Sequence, residues 1–391
     1  MSEPALVADR TARARLGDAT GALADLGVFV PLAAALILVN GLDPGALFVC
    51  AGLLVVGTGI VFRIPFPVQP LKALTAVAIA RELSPDVIHA AGLELAAFLL
   101  VLSVGHLADL IARVFVKPVV RALQLGVGAL LVLTAARMAL DPPQVFSAPP
   151  SPWPVILALL AFVGVAVAAH RRSYGIALVL FVGGMAVTVA GTQPDLASPA
   201  LTIPSLHVPP ASAFATAFFL LVIPQLPLTF GNAVVAVNDL SHEYFGRRAR
   251  RVSPSRVCRS AGLGNAVSAL LGGMPMCHGA GGLTAHVRFG ARTARMNLWL
   301  GGTFLVLGLF FAAQIPVILG LLPVSVLAAF LAYAGLRHAW LISDLRGLPL
   351  AIAVVSGAVG AWYGNLAITA ALALVLEHGR RRLGHRVRNA S

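Results

Sequence analysis

Two stretches set the architecture of this chain, RIPFPVQPLKA at residues 63–73 and GGMPMCHGAGG at residues 272–282. Each interrupts an apolar run with proline. Because proline has no amide donor and clashes with the preceding helical turn, each stretch predicts extended backbone followed by the start of a short helix. In lipid, non-helical backbone persists only where protein buries it or water lines it. A pair of such breaks at corresponding places in two halves of a chain is typical of a transporter's binding site.

The composition is that of a polytopic membrane protein. Of the 391 residues, 59% are hydrophobic and 11% are charged, and the mean hydropathy is +0.90, which is far more apolar than an ordinary soluble chain. The net charge of +13 would suit nucleic acid in a soluble domain, but here the cations cluster in short loops and tails, as membrane orientation requires. The expected partner is therefore the lipid bilayer and not nucleic acid.

The three cysteines, Cys50, Cys258 and Cys277, have no paired spacing. Neither a disulfide framework nor a Cys-x-x-Cys metal site is predicted, and no cofactor is expected. The residues before Gly17 carry charges and lack a small-residue cleavage site. The first apolar run is therefore expected to remain as a helix and not to be removed as a signal peptide.

The hydropathy predicts an all-α fold of about fourteen membrane segments, seven in each half, with the third of each half only about half-length. Gly, Pro and charged residues mark the breaks between them. In the first half the segments are predicted at 18–40, 44–62, 70–82, 88–111, 118–139, 153–169 and 174–191. In the second half they are predicted at 211–239, 256–271, 278–288, 294–313, 315–335, 346–360 and 362–378.

The positions of Lys and Arg support this count, because cytoplasmic loops carry the cation surplus. The loops 141–152 and 192–210 contain neither residue. A cytoplasmic N-terminus places the following cations inside: Arg113, Lys117, Arg171, Arg172, Arg247, Arg248, Arg250, Arg251, Arg256, Arg259, Arg288, Arg292, Arg295, Arg337, Arg346 and Arg380–Arg382.

An odd number of segments per half inverts the second repeat relative to the first. The prediction is a multi-pass protein of the plasma or inner membrane with both termini in the cytoplasm. Its parts are a cytoplasmic tail at 1–15, a first inverted repeat at 16–191, an external linker at 192–210, a second repeat at 211–378 and a basic cytoplasmic tail at 379–391.

The two broken segments predict an anion site. A helix that begins at mid-membrane leaves unpaired amides and the positive end of its dipole facing a cavity. The amides near 71–73 and 278–280 are expected to converge on one small solute. The candidate substrate-binding residues are Gln69, Pro70, Leu71, Lys72, Cys277, His278, Gly279 and Ala280.

Three of these side chains carry the strongest chemistry. Lys72 is one of only two lysines and stands in an apolar segment where an ammonium is costly, so it is expected to serve the site, with snorkelling to the interface as the alternative. Gln69 and His278 offer donors to an oxyanion. The alternative for His278 is a hydrogen-bonded core histidine.

Further polar residues are predicted to line the cavity or to couple transport to protons. Intramembrane carboxylates are functional by default, and for Glu94 a proton relay and a buried structural hydrogen bond both stay open. The predicted wall and coupling residues are Asp25, Glu94, Gln225, Thr229 and Asn232.

Two other functions compete with anion transport. Met274, Met276, Cys277 and His278 form a cluster of soft ligands that would suit copper or zinc, although the facing segment offers no sulfur or imidazole and Lys72 would repel a cation. A membrane enzyme using His278 and a carboxylate is disfavoured, because no nucleophile and base pair is recognisable. No catalytic and no resident metal site is therefore predicted.

Three blocks of sequence resemble the MOT1-type molybdate transporters, which are related to the sulfate permease superfamily. They are Gly21–Pro31 with its ADLG core, Pro65–Ala73 reading PFPVQPLKA, and Pro224–Asn232 together with Gly273–Phe289 reading GMPMCHGAGGLTAHVRF. The last block is long and distinctive. Because the resemblance extends to helix count and spacing, it covers almost the whole chain.

The resemblance implies a secondary transporter that imports molybdate, with tungstate or sulfate as alternative cargo. It also implies a UraA/SulP-like fold of inverted repeats divided into core and gate domains, an elevator-like motion between them, and a site between the third and tenth segments. A homodimer is one expected assembly. Carried over by position, the binding motifs are Pro67, Gln69, Pro70 and Lys72 with Pro275, His278, Gly279 and Gly281.

Overall fold

The computed structural model describes residues 17–19, 21–22, 26–104, 107, 116–140, 159–164, 166–167, 198–320 and 324–390. These ranges are mostly helical. The helices of the first half are α1 (Leu26–Leu38), α2 (Pro44–Phe62), α3 (Lys72–Ala80), α4 (Pro85–Leu102) and α5 (Lys117–Leu140).

The second half begins with α6, which runs from Ala211 to Phe245 in five consecutive parts. They are Ala211–Ala217, a π-helical turn at Phe218–Val222, Ile223–Leu228, a second π-helical turn at Thr229–Val235, and Ala236–Phe245. The later helices are α7 (Pro254–Leu270), α8 (Ala280–Arg288), α9 (Arg295–Phe310), α10 (Gln314–Gly320), α11 (Val324–Ala339), α12 (Gly347–Trp362) and α13 (Leu366–Ala390). Two short strands, β1 (Gln69–Pro70) and β2 (Met276–Cys277), precede α3 and α8.

Within the described residues, five stretches are long and apolar enough to cross a membrane: Pro44–Phe62, Pro85–Leu102, Lys117–Leu140, Ala211–Ala249 and Val324–Asp344. The shorter apolar helices include Val28–Leu38, Arg295–Phe310 and Gly347–Trp362. A mostly helical fold with many apolar helices is therefore confirmed. The predicted segment 174–191 lies outside the described residues and 153–169 is only partly described, so the count of fourteen stays a prediction.

Several helix ends differ from the predicted bounds. The predicted segment 315–335 is divided into α10 and α11, with 321–323 between them outside the described residues. The helix α13 continues to Ala390, well past the predicted end at 378. Glu377 accounts for part of this extension, because it pairs with Arg380 and Arg381 at helical spacing. The predicted border between the last span and the basic tail thus falls inside one helix.

Both proline breaks begin at a residue in the left-handed region. The helix α2 ends at Phe62, and Arg63 then adopts a φ of 57° just before Pro65. The helix α7 ends at Leu270, and Gly272 has a φ of 77° shortly before Pro275. A left-handed residue ends a helix by turning the chain away from its axis. The two breaks therefore have the same local cause in both halves.

The helices pack in two groups. In the first group, which we call the crossing group, α2 packs on α9, α4 packs on α7, and α6 packs with α8. The second group, which we call the flanking group, contains α5, α11, α12 and α13. Glycines allow close contact within each group, since a Cβ on Gly301 would lie 2.8 Å from the Gly52 carbonyl oxygen and one on Gly335 would lie 2.7 Å from that of Gly128. The short helix α3 contacts α5 of the flanking group and α6 of the crossing group.

The two ends of α7 lie on two opposite faces of the molecule. The His207 amide donates to the Leu270 carbonyl over 2.7 Å, and the His207 ring lies 2.8 Å from an Asp86 carboxylate oxygen. The linker 198–210, the end of α7 and the start of α4 therefore share one face, here called the linker face. The other end of α7, at Pro254, follows the basic residues 247–251 on what we call the arginine face.

Candidate functional site

The two proline breaks meet in the interior of the protein, at what we call the crossing. The strands β1 and β2 pair antiparallel, with Gln69 opposite Cys277 and Pro70 opposite Met276. The Leu71 amide extends this ladder by donating to the Pro275 carbonyl over 3.2 Å. The helix α3 begins directly after β1 at Lys72, and α8 begins shortly after β2 at Ala280. The starts of two short helices therefore lie next to each other.

Two buried asparagines hold the crossing in its extended shape. Asn265 of α7 accepts the Met276 amide over 2.7 Å and donates to the Met276 carbonyl over 2.9 Å. Asn297 of α9 likewise accepts the Phe66 amide over 3.0 Å and donates to the Phe66 carbonyl over 2.6 Å. Each side-chain amide replaces a neighbouring strand for one residue, so the extended backbone keeps its hydrogen bonds without water. Neither asparagine was predicted from the sequence, although an amide within an apolar helix is a signal that could have found both.

The His278 ring is fully buried and faces protein on both sides. Its Nδ1 lies 3.0 Å from the Pro67 carbonyl oxygen and its Nε2 lies 3.2 Å from Ser260 Oγ. A carbonyl only accepts, so in the neutral ring Nδ1 donates to Pro67 and Nε2 accepts from the Ser260 hydroxyl. That arrangement leaves the ring no donor for a solute. His278 thus links the first break to α7 through hydrogen bonds. This position resembles a hydrogen-bonded core histidine more than a donor to an oxyanion.

Within the described residues, only some of the amides that begin the two short helices donate to protein acceptors. The Leu71 amide belongs to the strand ladder, and the Leu74 amide donates to Gln225 Oε1 over 3.1 Å. Ala73 lies between them at the second helical position, which has no acceptor within a helix. At α8 the first and second positions are Ala280 and Gly281, and the next amide, of Gly282, turns back to Gly279. Ala73 and Ala280 lie within the predicted stretches 71–73 and 278–280, and Gly281 lies one residue beyond the second stretch.

Open space lies in front of α8. Gly281 is exposed, and a Cβ built on it would meet no atom of the described residues within 4 Å. A Cβ on Gly279 would instead overlap the Gln69 side-chain oxygen and would lie 3.7 Å from the Asn232 amide nitrogen. The glycine at 279 therefore permits Gln69 of the first break to approach the second break closely.

The predicted wall residues on α6 do reach the crossing. Gln225 uses its oxygen for the Leu74 amide, while its nitrogen donates to Thr229 Oγ1 over 3.1 Å. Pro224 and Pro227 remove two amide donors from this part of α6, and π-helical turns flank them on both sides. Such turns occur often at functional sites. The irregular helix thereby presents Gln225 to α3.

Lys72 stands at the first position of α3 and is half-buried. The helix that it begins contacts α5 of the flanking group and α6 of the crossing group. Lys72 therefore stands at the start of a helix that lies between the two groups.

Two predicted coupling residues have different positions. Asp25 lies outside the described residues. Glu94 is half-buried on α4, and within the described part of the chain its Oε2 is buried without a hydrogen-bond partner. A Cβ on Gly92 would lie 3.3 Å from Pro275, and Glu94, two residues along the helix, points to the opposite side. The structure does not bring Glu94 into the crossing.

The soft-ligand cluster is not arranged around an open space. The side chains of Met274 and Met276 are fully buried, and Cys277 is 7% exposed. In the ranges that the structure describes, no three His, Cys, Asp or Glu side chains are grouped to hold a metal ion. This geometry gives the copper or zinc alternative no support.

Comparison with known proteins identifies relatives along most of the chain. A family model described as "Molybdate transporter of MFS superfamily" matches residues 17–131 and 217–337. "Molybdate transporter 1" of Arabidopsis thaliana is 31% identical over 374 residues, covering 85% of this chain and 81% of that protein. "Molybdate transporter 2" of the same plant is 30% identical, covering 84% and 79% of the two chains.

Solved structures with the same fold are more distant in sequence. The transmembrane domain of the cyanobacterial bicarbonate transporter BicA has a TM-score of 0.64 at 16% identity, covering 92% of this chain and 96% of that one. The murine anion transporter Slc26a9 in its inward-facing state has a TM-score of 0.67 at 13% identity, covering 94% and 68% of the two chains. The fold is therefore of the SLC26 and sulfate permease type. Since the family model matches more than half of its length, this chain belongs to the molybdate transporter family and is a transporter, not an enzyme.

Proposed function

We propose that this protein is a secondary active transporter that imports molybdate, with tungstate and sulfate as competing cargo, and that the dianion binds at the crossing. The observation that carries the proposal is the pairing of Gln69 with Cys277 and of Pro70 with Met276. It places the starts of α3 and α8 together, so that the positive ends of two helix dipoles act on the same small volume.

The proposed binding groups come from both breaks. The Lys72 ammonium supplies a full positive charge, the Gln69 side chain supplies an amide, and the amides of Ala73, Ala280 and Gly281 supply backbone donors. A tetrahedral dianion has oxygens to satisfy several donors at once, and charged hydrogen bonds are the strong ones. Pro70 and Gly279 shape the site, Leu71, Cys277 and His278 hold its backbone, and Thr229 and Asn232 complete its wall.

The proposed architecture follows the sequence analysis. Residues 16–191 and 211–378 form two inverted repeats of seven segments each, joined by the linker 192–210. The crossing group acts as the core and the flanking group as the gate, and the core moves against the gate to expose the site to either side. Both termini lie in the cytoplasm of a cell whose plasma or inner membrane holds the protein, and two chains form a homodimer.

The proposed coupling ion is the proton. Glu94 supports this assignment, because a carboxylate with a buried and unpartnered oxygen in a membrane helix is costly unless it takes up a proton. Asp25, which directly precedes α1, is the second proposed carrier, since α1 contacts both β1 and α3.

Flux into proteoliposomes tests the transport proposal. Purified protein should take up labelled molybdate, and excess unlabelled molybdate or tungstate should compete more strongly than chloride. An inward proton gradient should accelerate the uptake. Failure of labelled molybdate to enter, or entry that unlabelled molybdate does not inhibit, would contradict the proposal.

A further inference from the structure

A charged side chain links the short helix α3 to the flanking group. Arg81, which directly follows α3, donates through Nε to the Gly364 carbonyl over 2.8 Å and through Nη2 to the Tyr363 carbonyl over 2.6 Å. Tyr363 and Gly364 join α12 to α13. Because α4 begins on the linker face only a few residues after Arg81, this contact lies on the linker face. The helix that starts at the crossing is thus tied at its other end to the flanking group.

The chemistry of the contact suits a guanidinium. Gly364 has a φ of 59°, and the Asn365 amide turns back to the Gly360 carbonyl over 2.9 Å. This tight end leaves the carbonyls of Tyr363 and Gly364 directed outward at the negative end of the α12 dipole. Arginine donates from two nitrogens held in a fixed plane, so it reaches both oxygens together.

The contact differs from those that hold each group together. Within the groups, buried glycines bring helix backbones into close contact, as at Gly52 and Gly301. Arg81 is exposed, and water can replace the partners of an exposed charged group at little cost. A bond of this kind can open and close repeatedly without disturbing the packing of either group.

We propose that Arg81 is a latch that closes the linker-face side of the path between the two groups, and that it has to release before a solute reaches the crossing from that face. The inference rests on the proposed transport function, because alternate access of one site to two faces requires the groups to move relative to each other. In the state described here the latch is closed.

Cysteine labelling tests the latch without any transport assay. Native Cys277 lies at the crossing and is 7% exposed, so it reports access to the site. In sealed vesicles with the linker face outward, a membrane-impermeant maleimide should label Cys277 about three to ten times faster in Arg81→Ala than in the wild type, because two charged bonds that hold the path closed are lost. Mass spectrometry of the labelled peptide distinguishes Cys277 from Cys50 and Cys258.

Matched variants sharpen this test. Arg81→Lys keeps the charge and loses the fixed fork, so its labelling rate should be intermediate. Glu82→Gln removes the charge of the adjacent exposed residue and should label at the wild-type rate. Equal labelling of Cys277 in Arg81→Ala and the wild type would overturn the proposal, and so would an equal increase in Glu82→Gln.

A reversible cross-link asks whether the latch has to open. In the Arg81→Cys and Tyr363→Cys double variant, a short bis-thiosulfonate that replaces the length of the lost arginine should stop molybdate flux, and a reductant should restore it. The control is the Asp86→Cys and His207→Cys double variant. The same reagent would join α4 to the linker on the same face without joining the two groups, so flux should continue. Wild-type flux through protein cross-linked at 81 and 363 would overturn the latch. Absence of flux in the wild type would instead contradict the transport proposal. The latch would then be tested by the labelling of Cys277 alone.

Discussion

The Gln225 side-chain oxygen accepts the Leu74 amide over 3.1 Å, so an uncharged residue of α6 occupies one of the first amides of α3. This finding predicts the effect of changing its charge. Gln225→Glu keeps the shape and the acceptor but adds a negative charge beside the start of α3, where it competes with a dianion. Molybdate affinity should fall more than tenfold, equivalent to about 1.4 kcal/mol, and the melting temperature should fall as well, because Gln225 is 2% exposed and a buried charge is costly. Isothermal titration and a thermal shift assay measure the two quantities.

Gln225→Leu provides the comparison for that experiment. It removes the acceptor without adding charge, which leaves the buried Leu74 amide without this partner at a cost of about 1–3 kcal/mol. Stability should therefore fall in Gln225→Leu and affinity should fall most in Gln225→Glu. The same loss of affinity in both variants would show that charge at this position is unimportant.

The two lysines of the chain form a natural pair for mutation. Lys72→Ala should weaken molybdate binding at least tenfold, about 1.4 kcal/mol, because the only full charge proposed for the site is lost. Lys72→Arg should also bind poorly, since a planar fork replaces a compact ammonium. Direct binding of molybdate to purified protein is the measurement.

Lys117→Ala is the control for Lys72→Ala. Lys117 pairs with Asp344 over 2.9 Å and is 56% exposed, and Arg121 contacts the same carboxylate, so the charge of Asp344 stays compensated. Affinity should be that of the wild type. Equal losses in Lys72→Ala and Lys117→Ala would point to a general effect of net charge, and an unchanged Lys72→Ala would remove Lys72 from the site.

The asparagine pair predicts a loss of stability with a specific location. Asn265→Ala and Asn297→Ala each leave an amide and a carbonyl of the crossing without their side-chain partner, and each unmade buried bond costs about 1–3 kcal/mol. Thermal unfolding should therefore occur at a clearly lower temperature in both variants. Asn238→Ala is the control, because the exposed contact of Asn238 with Asp239 contributes little. If the Asn238 variant lost as much stability as the other two, the inference that Asn265 and Asn297 stabilise the extended backbone of the crossing would be wrong.

Hydropathy and proline placement predicted most of the fold from the sequence. The segment 44–62 matches α2, and the half-length segments at 70–82 and 278–288 contain α3 and α8. These segments were predictable because proline interrupts a helix locally, whichever residues pack around it. The end of α13 was missed for a related reason. Arg380 and Arg381 read as a tail by charge alone, but Glu377 pairs with both and the helix continues.

The site was less predictable, because side-chain direction depends on residues far away in sequence. The sequence predicted Gln225 as a wall residue of the site, yet it could not show that His278 would donate to the Pro67 carbonyl and accept from the Ser260 hydroxyl. Asn297 contacts Phe66 across 231 residues, and such a pair leaves no local pattern.

Cys277 separates anion transport from soft-metal transport. Cys277→Ala removes the thiolate that copper or zinc would require, while its backbone can still pair with Gln69. Molybdate uptake should remain within about twofold of the wild type, a difference of less than 0.5 kcal/mol, and no copper or zinc should be retained by either protein. Inductively coupled plasma mass spectrometry of protein purified after metal exposure checks the second point. Stoichiometric copper or zinc that is lost in Cys277→Ala would favour the soft-metal carrier.

Gly281 predicts a variant that is stable but binds poorly. Because a Cβ at this position would meet no atom of the part of the chain that the structure describes within 4 Å, Gly281→Ala fits the fold, and replacing a helical glycine by alanine stabilises by about 0.5–1 kcal/mol. The added methyl projects into the space proposed for the anion, so molybdate affinity should fall severalfold while the melting temperature is retained or raised. Among the described residues, Gly302 on α9 has equally open surroundings and lies away from the crossing, so Gly302→Ala should keep both stability and affinity. An affinity for molybdate that is unchanged in Gly281→Ala would mean that the open space before α8 is not the binding site.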